Sequence, residues 1–489
     1  MSFLPSTLDG QKPHSQVSEE TSQETQQQKY ITYEDRDYLF KLYKTSMDNN
    51  VPDIVARMGL YSLISACMTG RYRYDNFSVT QQTWPNLYVL FVGLSGAGKS
   101  TIIKHNEKIL NTTSITFGTD TRSPAIRTSP TTGTVEGFIK EMSRGDVVWN
   151  KLPPVKLWNR GAKKYDYHKY TPMHVMSHDL QQLIHKENRD SFAKFLTPAW
   201  DAKENLVKAI KGDTDKEIIN NVALSMAAGT TFDKLPDLFN PDSAGDGLLS
   251  RIHIVLVPPI EKKSVTSPEV IEFILANPDA TPEDFEKHDK VGTMQKEKAI
   301  IELGKWCQRV IFGSANVTPK NMGVLASAHK FMLEEQKSGK WVVNPSHLLT
   351  SYYERKQFHW NKLSLVHRFT YSTEPFIEFE DYAATYKVLG ELEGPLDQCF
   401  CQVSNNPTHR MAARIMAYVK GKKGQIAERK KIQDDLAYLA YKHGFVERVI
   451  DSLILEKKLV GELIDYGKRP SEKDPKKLVP HRERAVRIP

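Results

Sequence analysis

The residues with the clearest chemical signal lie at positions 93–100, where the sequence GLSGAGKS fits the pattern G-x-x-x-x-G-K followed by Ser or Thr. An apolar run at 88–92 precedes this loop and predicts a buried strand, and a helical pattern follows from Lys99 to about Leu110. Glycines let a backbone curl so that its N–H groups point at phosphate oxygens, and a helix N-terminus adds partial positive charge. The strand, loop and helix together predict a phosphate-binding site.

The residues of this loop have predicted roles in holding a nucleoside triphosphate. Lys99 would reach the β- and γ-phosphates, which makes it a candidate catalytic residue, and the Ser100 hydroxyl would ligand Mg²⁺. The predicted nucleotide-binding residues are Gly93, Ser95, Gly96, Ala97, Gly98, Lys99, Ser100 and Thr101.

Hydrolysis of a nucleoside triphosphate needs a carboxylate that holds Mg²⁺ and positions water. Asp179 is the best candidate for this catalytic and metal-binding role, because it follows the predicted strand at 172–177. The usual pattern has two successive acids, whereas this chain has His178 before Asp179. Either Asp179 performs both tasks, or His178 or Glu187 assists it. The alternative is that Asp179 only caps the following helix.

Two further catalytic candidates lie at strand ends. Thr230 or Thr231, after the strand at 222–228, would hydrogen-bond the γ-phosphate or the attacking water, or would be a turn residue. Arg251 directly precedes the predicted strand at 252–257. It would reach a phosphate across a subunit boundary as an arginine finger, or pair with a local carboxylate. All the catalytic candidates fall near strand ends or sheet edges, so their side chains could converge.

Five apolar segments alternate with helical patterns and predict an α/β fold with a doubly wound parallel sheet. The predicted strands are 88–92, 114–117, 172–177, 222–228 and 252–257. The predicted division of the chain is a disordered tail (1–32), an N-terminal helical cap (33–84), the nucleotide-binding core (85–260), a linker (261–299), a helical domain (300–405), a winged-helix-like domain (406–470) and a basic tail (471–489).

Two regions suggest contact with nucleic acid. The C-terminal region shows helices at 415–419, 427–440 and 445–456 and a short β-wing at 457–464, a winged-helix pattern that commonly binds DNA but also serves protein interactions. The formal net charge of +8 is concentrated after Leu455, although a solvated tail is equally compatible with that excess.

A predicted hairpin at 147–169 interleaves basic and aromatic residues, which suits single-stranded nucleic acid but also an ordinary hairpin. The predicted DNA contacts are Lys151, Lys163, Lys164, Lys457 and Lys458.

Cysteine usage and hydropathy bound the class of protein. Cys67, Cys307, Cys399 and Cys401 lack CxxC spacing, so neither a disulfide framework nor a zinc site is predicted, and a reducing cytoplasm is expected. No apolar run reaches the roughly 18 residues of a transmembrane helix, and the first 29 residues lack the apolar core of a secretory signal. No membrane association is therefore expected.

Four short stretches carry a resemblance to a known family. The phosphate loop, SHD at 177–179, AAGTT at 227–231 and GDGLLSR at 245–251 resemble the motifs of a AAA+ ATPase. More narrowly, they are similar to a family of unknown function often fused to primases in bacteriophages and mobile elements. That family commonly shows S-D-E, G-G-T and G-F-L-S-R-F at these places. The LLSR stretch is also similar to minichromosome-maintenance and superfamily III helicases.

The resemblance covers roughly 33–394 and implies a ring-forming, hexameric motor that uses ATP and Mg²⁺ to act on single-stranded or forked DNA. It also implies that Arg251 acts on the neighbour's ATP, and that any primase is a separate chain. We therefore favour a replicative helicase of a phage or mobile element, located in the host cytoplasm. The alternatives are a AAA+ loader or remodeller that does not unwind DNA, and a DNA-binding replication or regulatory factor with a structural ATP site.

Overall fold

A computed structural model supplies the fold. It describes residues 30–47, 51–75, 82–113, 115–117, 121–123, 126, 128–129, 134–143, 155–159, 164–168, 171–185, 187–202, 205–209, 216–220, 222–238, 247–258, 273, 275–279, 281–343, 350–396, 407–420, 422, 426–436, 444–455, 459–470 and 478–487.

The helices and strands are numbered separately in chain order. The helices are α1 (Tyr38–Ser46), α2 (Asp53–Met68), α3 (Lys99–Thr112), α4 (Val135–Ser143), α5 (Arg189–Trp200), α6 (Leu235–Leu238), α7 (Pro282–Phe312), α8 (Met322–Lys337), α9 (Thr350–Arg368), α10 (Phe379–Glu393), α11 (Pro407–Lys420), α12 (Arg429–Leu436) and α13 (Phe445–Leu455). The strands are β1 (Tyr72–Asp75), β2 (Gln82–Thr83), β3 (Tyr88–Val92), β4 (Ile115–Phe117), β5 (Thr121–Ser123), β6 (Val155–Asn159), β7 (Lys164–His168), β8 (Thr171–Ser177), β9 (Asn205–Ala209), β10 (Lys216–Asn220), β11 (Val222–Thr230), β12 (Ile252–Leu256), β13 (Ala315–Pro319), β14 (Phe376–Ile377), β15 (Ile426–Glu428), β16 (Val460–Pro470) and β17 (Leu478–Arg487).

A parallel sheet of four strands, in the order β12-β3-β11-β8, lies at the centre and confirms the predicted α/β class. All five residues of β3 are buried. Val89 and Phe91 belong to a core shared with α2, α3 and α7, whereas Leu90 belongs to a core shared with α4 and α5. Helices therefore cover both faces of the sheet, which is why its strands read as continuous apolar runs.

The predicted second strand does not join this sheet, which corrects the five-strand prediction. Ile115–Phe117 is a strand, but it pairs antiparallel with β5. The place beside β8 is taken by a single bridge between Thr128 and His174, supported by the Ser129 N–H, which donates to the His174 carbonyl oxygen at 3.0 Å.

Helix α2 anchors the helix that follows the phosphate loop. The predicted helices α1 and α2 are confirmed, but α2 is a central helix rather than part of a peripheral cap, because nearly all of it is buried. Asn106 of α3 donates to the Gly59 carbonyl oxygen at 3.0 Å and accepts from the Tyr43 hydroxyl at 2.6 Å. A side chain at Gly59 would lie 2.7 Å from Ile102, so glycine permits this close helix contact.

The predicted linker is partly wrong, because α7 begins at Pro282. Thr281 caps this helix through a capping box with Asp284, and a proline occupies its first turn. These signals were present in the sequence and outweighed its polar composition. The helices expected in the region 300–405 are confirmed, but β13 and β14 also join β1 and β2 in a second sheet that was not predicted.

The C-terminal unit contains three helices and a three-stranded antiparallel sheet in the order β15-β17-β16. The predicted wing is longer than expected. In the predicted helix at 427–440, the first two residues belong to β15 and α12 spans Arg429–Leu436, while 437–440 lie outside the described residues. The basic tail predicted at 471–489 is wrong over 478–487, which form β17. This strand pairs with both β15 and β16, and its Val486 is buried with Ile415 and Val449. Among the described residues, no helix is both long enough and apolar enough to cross a membrane.

Candidate phosphate-binding site

The loop between β3 and α3 turns through two glycines with left-handed backbone conformations. Gly96 and Gly98 have φ values of 79° and 83°, in the left-handed region that favours glycine. A Cβ at Gly96 would meet no atom within 4 Å, so its glycine serves conformation rather than packing. No side chain caps α3, and its first turn carries no acid, so its amide groups remain available to an anion.

Two glycines allow neighbouring strand ends to close around this loop. A Cβ at Gly93 would lie 2.6 Å from the Val257 carbonyl oxygen, and the Gly93 N–H donates to the Thr230 carbonyl oxygen at 3.3 Å. A Cβ at Gly229 would lie 2.7 Å from the His178 carbonyl oxygen. Sequence reasoning did not select Gly229 as a site residue, although a glycine inside an apolar strand indicates such close approach.

Lys99 is buried, and the loop itself binds its ammonium group. Its Nζ donates to the carbonyl oxygens of Gly93 at 2.8 Å and Leu94 at 2.6 Å. Burial lowers the pKa of Lys99, while the charges of Asp179 and Asp233 oppose that shift. The partners of the ammonium are carbonyl oxygens of the loop, not a carboxylate. A phosphate could therefore take their place without leaving a buried carboxylate unpaired.

Asp179 lies just beyond the carboxyl end of β8, as predicted, and both of its oxygens have partners. Oδ1 accepts from the Gln181 N–H at 3.3 Å, so Asp179 does cap a following helix, the short 3-10 turn Leu180–Gln182. Oδ2 accepts from Lys234 Nζ at 2.5 Å. Sequence reasoning missed Lys234, because its pairing with Asp179 depends on the neighbouring positions of β8 and β11.

Three buried polar atoms beside the loop lack a hydrogen-bond partner among the residues that the structure describes. They are Nδ1 of His178 and the Oγ1 atoms of Thr230 and Thr231. A buried polar group without a partner costs about 1–3 kcal/mol, so such atoms generally meet a ligand or water. Their position at the carboxyl end of the parallel sheet fits a polar ligand bound against the loop.

The residues present also fit a phosphate-bound magnesium ion. Ser100 lies in the first turn of α3, and Asp179 is a carboxylate at the carboxyl end of β8, which β11 separates from β3. The described part of the chain holds no group of three or more potential metal-ligating side chains. Mg²⁺ commonly takes only one or two protein ligands and completes its shell with phosphates and water, so this sparse set is adequate.

Arg251 does not converge with these residues within one chain, which corrects that expectation. It lies before the first residue of β12, and β12 runs parallel to β3, so the loop is at the other end of the sheet. Five strand residues separate the two ends by roughly 16 Å. Arg251 Nη2 contacts Asp201 Oδ2 at 2.8 Å, and Nη1 donates to the Gly247 carbonyl oxygen at 2.7 Å. The local-carboxylate alternative is therefore observed, and action on a neighbouring subunit stays a prediction.

Only one of the predicted DNA contacts lies within the described residues. Lys164 begins β7 and is exposed, and the hairpin that it belongs to, β6 with β7, is confirmed. Lys151, Lys163, Lys457 and Lys458 lie outside the described residues.

The carboxyl end of the sheet thus holds Lys99, Ser100, Asp179 and Thr230, together with Gly229 and Lys234, whereas Arg251 lies at the opposite end. Comparison with protein-family models yields no match, and neither does comparison with curated proteins.

Proposed function

We propose that this chain is a P-loop ATPase of the AAA+ type that works on DNA, with helicase activity as its specific form. The observation that carries the proposal is the assembly of Lys99, Asp179 and Thr230 around one glycine-rich loop at the carboxyl end of a parallel sheet. The unpartnered hydroxyls of Thr230 and Thr231 support it further.

Each residue has a distinct task in this proposal. The loop amides and the N-terminus of α3 bind the phosphates, and Lys99 exchanges its bonds to the loop carbonyls for bonds to phosphate oxygens. Ser100 and Asp179 would hold Mg²⁺, which neutralises charge on the phosphates. In this proposal the Thr230 hydroxyl would orient the attacking water, and Asp179 would accept a hydrogen bond from that water.

The DNA component is supported by regions outside the nucleotide site. The proposal treats the three described C-terminal helices and the paired strands β16 and β17 as a winged-helix-like domain, a type of domain that commonly binds DNA. The β6–β7 hairpin presents Lys164 to solvent. If Lys164 contacts a DNA phosphate, Lys164→Ala should reduce the salt slope of DNA binding by about 0.7–0.9. An unchanged slope would remove this hairpin from the DNA-binding surface.

The central experiment measures nucleotide binding and ATP hydrolysis with and without single-stranded DNA. Lys99→Ala should abolish hydrolysis and weaken ATP binding, because it removes the cation that contacts the β- and γ-phosphates. Lys104→Ala is the matched control, since Lys104 is exposed on the same helix. Normal hydrolysis by Lys99→Ala would contradict the proposal. A strand-separation assay on forked DNA then distinguishes a helicase from a loader or remodeller.

A second candidate is a DNA-binding replication factor in which ATP is structural. It is favoured by one observation, the Asp179–Lys234 contact at 2.5 Å, since a carboxylate paired with an ammonium is less available to Mg²⁺. Tight nucleotide binding with no turnover, with or without DNA, would support this candidate over the ATPase.

A further inference from the structure

Lys234 is a second cation at the phosphate site, and the sequence motifs give it no role. A short 3-10 turn, Phe232–Lys234, follows β11 directly and brings Lys234 to the carboxyl end of β8. Its Nζ lies 2.5 Å from Asp179 Oδ2, and both side chains are about one third exposed or less, at 33% and 28%. An ion pair with this exposure contributes little to folding stability, so stability is a weak reason for its presence.

The contact places the ammonium beside the oxygen that Mg²⁺ would need. A divalent cation and an ammonium group repel each other, so both cannot use Asp179 Oδ2 at short range. If Mg²⁺ is to take Oδ2, Lys234 has to leave that oxygen, and its charge then needs another anion nearby. Thr230 ends β11 and Thr231 precedes this turn, and among the described residues their Oγ1 atoms have no hydrogen-bond partner, which marks the same strand end as a place for a polar ligand.

We propose that Lys234 makes the site selective for nucleoside triphosphate over nucleoside diphosphate. This inference rests on the proposed nucleotide site. With a triphosphate, Lys234 leaves Asp179 and binds oxygens of the γ-phosphate, which frees Asp179 Oδ2 for Mg²⁺. With a diphosphate there is no γ-phosphate to receive the ammonium, so Lys234 stays on Asp179 and opposes Mg²⁺ binding. Lys234 is therefore a specificity-determining residue that couples the terminal phosphate to the metal-binding carboxylate.

The test compares the affinities of a non-hydrolysable ATP analogue and of ADP, each with Mg²⁺ and with EDTA. In Lys234→Met the ratio of ADP to ATP-analogue dissociation constants should fall by roughly tenfold or more, the value of a lost charge-assisted hydrogen bond. The gain in ADP affinity on adding Mg²⁺ should become larger, because Asp179 no longer has a competing cation. Lys234→Arg should keep most of the selectivity, and Lys104→Met on α3 should keep all of it.

The outcomes separate this inference from the proposed function. If the unaltered protein binds both nucleotides and Lys234→Met keeps its selectivity and its Mg²⁺ response, the role of Lys234 is overturned while the nucleotide site stands. If the unaltered protein binds neither nucleotide, both proposals fall. A variant with weaker affinity for both nucleotides by the same factor would show that Lys234 only supports the local fold, which also overturns the inference.

Discussion

The two ends of the central sheet hold buried lysines in different ways. Lys99, at the carboxyl end, donates to carbonyl oxygens of its own glycine-rich loop. Lys362, on α9 at the amino end, is enclosed and donates to Asn86 Oδ1 at 2.7 Å and to the Trp200 carbonyl oxygen at 3.0 Å. Its Nζ also lies 3.5 Å from the centre of the Trp200 ring.

Burial lowers the pKa of both lysines, so their burial does not distinguish a ligand-binding lysine from a structural one. The difference lies in the partners. Lys362 joins α9 to Trp200 of α5 and to Asn86 in the segment before β3, and moving it would break these contacts. Among the described residues, Lys99 donates only to carbonyl oxygens of its own loop, which carries exposed residues such as Ser95. Another acceptor can therefore replace these carbonyl oxygens. A buried cation is available for function when its partners can be replaced without separating packed elements.

The strongest test of this comparison is Arg251, because it lies at the structural end of the sheet but is predicted to act on a neighbouring subunit. Arg251→Ala should bind ATP but lose about 10³–10⁵ in hydrolysis rate if it is an arginine finger. Mixing it with Lys99→Ala should restore activity, since some interfaces would combine an intact Lys99 with an intact Arg251.

The control for that experiment is thermal unfolding of Arg251→Ala, because the variant also loses the contact with Asp201. A variant that folds and forms mixed oligomers but shows no restored activity would place Arg251 among the structural cations, together with Lys362.

The next largest effect is expected at Asp179. Asp179→Asn should leave ATP binding largely intact and reduce turnover by about 10²–10⁴, because the carboxylate can no longer hold the metal and accept from water. Asp190→Asn on α5 is the control, since Asp190 is exposed and its described partner is the neighbouring Arg189. Normal hydrolysis by Asp179→Asn would mean that another acid holds the metal. In that case His178→Asp would be tested, because it places an acid directly before position 179 and should raise the hydrolysis rate.

Gly229→Ala tests whether close packing at the carboxyl end is required. The new methyl group would lie 2.7 Å from the backbone carbonyl oxygen of His178, so β8 and β11 must separate locally. We expect a loss of about 1–3 kcal/mol in the free energy of unfolding, measured by urea denaturation, together with weaker ATP binding. Gly390→Ala, in helix α10 with no atom within 4 Å of the new methyl, should instead be neutral or stabilising.

The smallest effect concerns pH at the amino end, where His359 Nδ1 lies 3.1 Å from His253 Nε2. Burial lowers the pKa of His359 to about 3, despite an opposing hydrogen bond to the Ser250 carbonyl oxygen, and the charges of Lys362, Arg355 and Arg251 lower it further. The unfolded state therefore binds a proton more readily. The stability that neutral His359 contributes is complete above pH 6.5 and is lost as the pH falls toward 3.

Between those values, the unfolding free energy of the unaltered protein should fall more steeply with acidification than that of His359→Asn. The difference in slope should approach about 1.4 kcal/mol per pH unit, measured by denaturant unfolding at several pH values. Equal slopes in the two proteins would show that His359 can be protonated in the folded state.

Local patterns in the sequence determined the phosphate loop, the strands that carry it and most of the helices. Glycine spacing specifies the left-handed turns at Gly96 and Gly98, and continuous apolar runs specify β3, β11 and β12, because both signals depend on residues adjacent in the chain. The order of these motifs also predicted that Lys99, Asp179 and Thr230 lie at the same end of the sheet, since the carboxyl ends of parallel strands lie together.

Tertiary structure alone decided which charged groups meet. Lys234 pairs with Asp179 across 55 positions, and Arg251 pairs with Asp201 across 50. It also decided that β4 leaves the central sheet and that β17 completes the C-terminal one. The composition and the hydrophobic period of a segment indicate whether it prefers helix or strand, but they do not identify the segments that pack against it. Those neighbours are set by the packing of whole elements, so the partners of each cation could be known only from the fold.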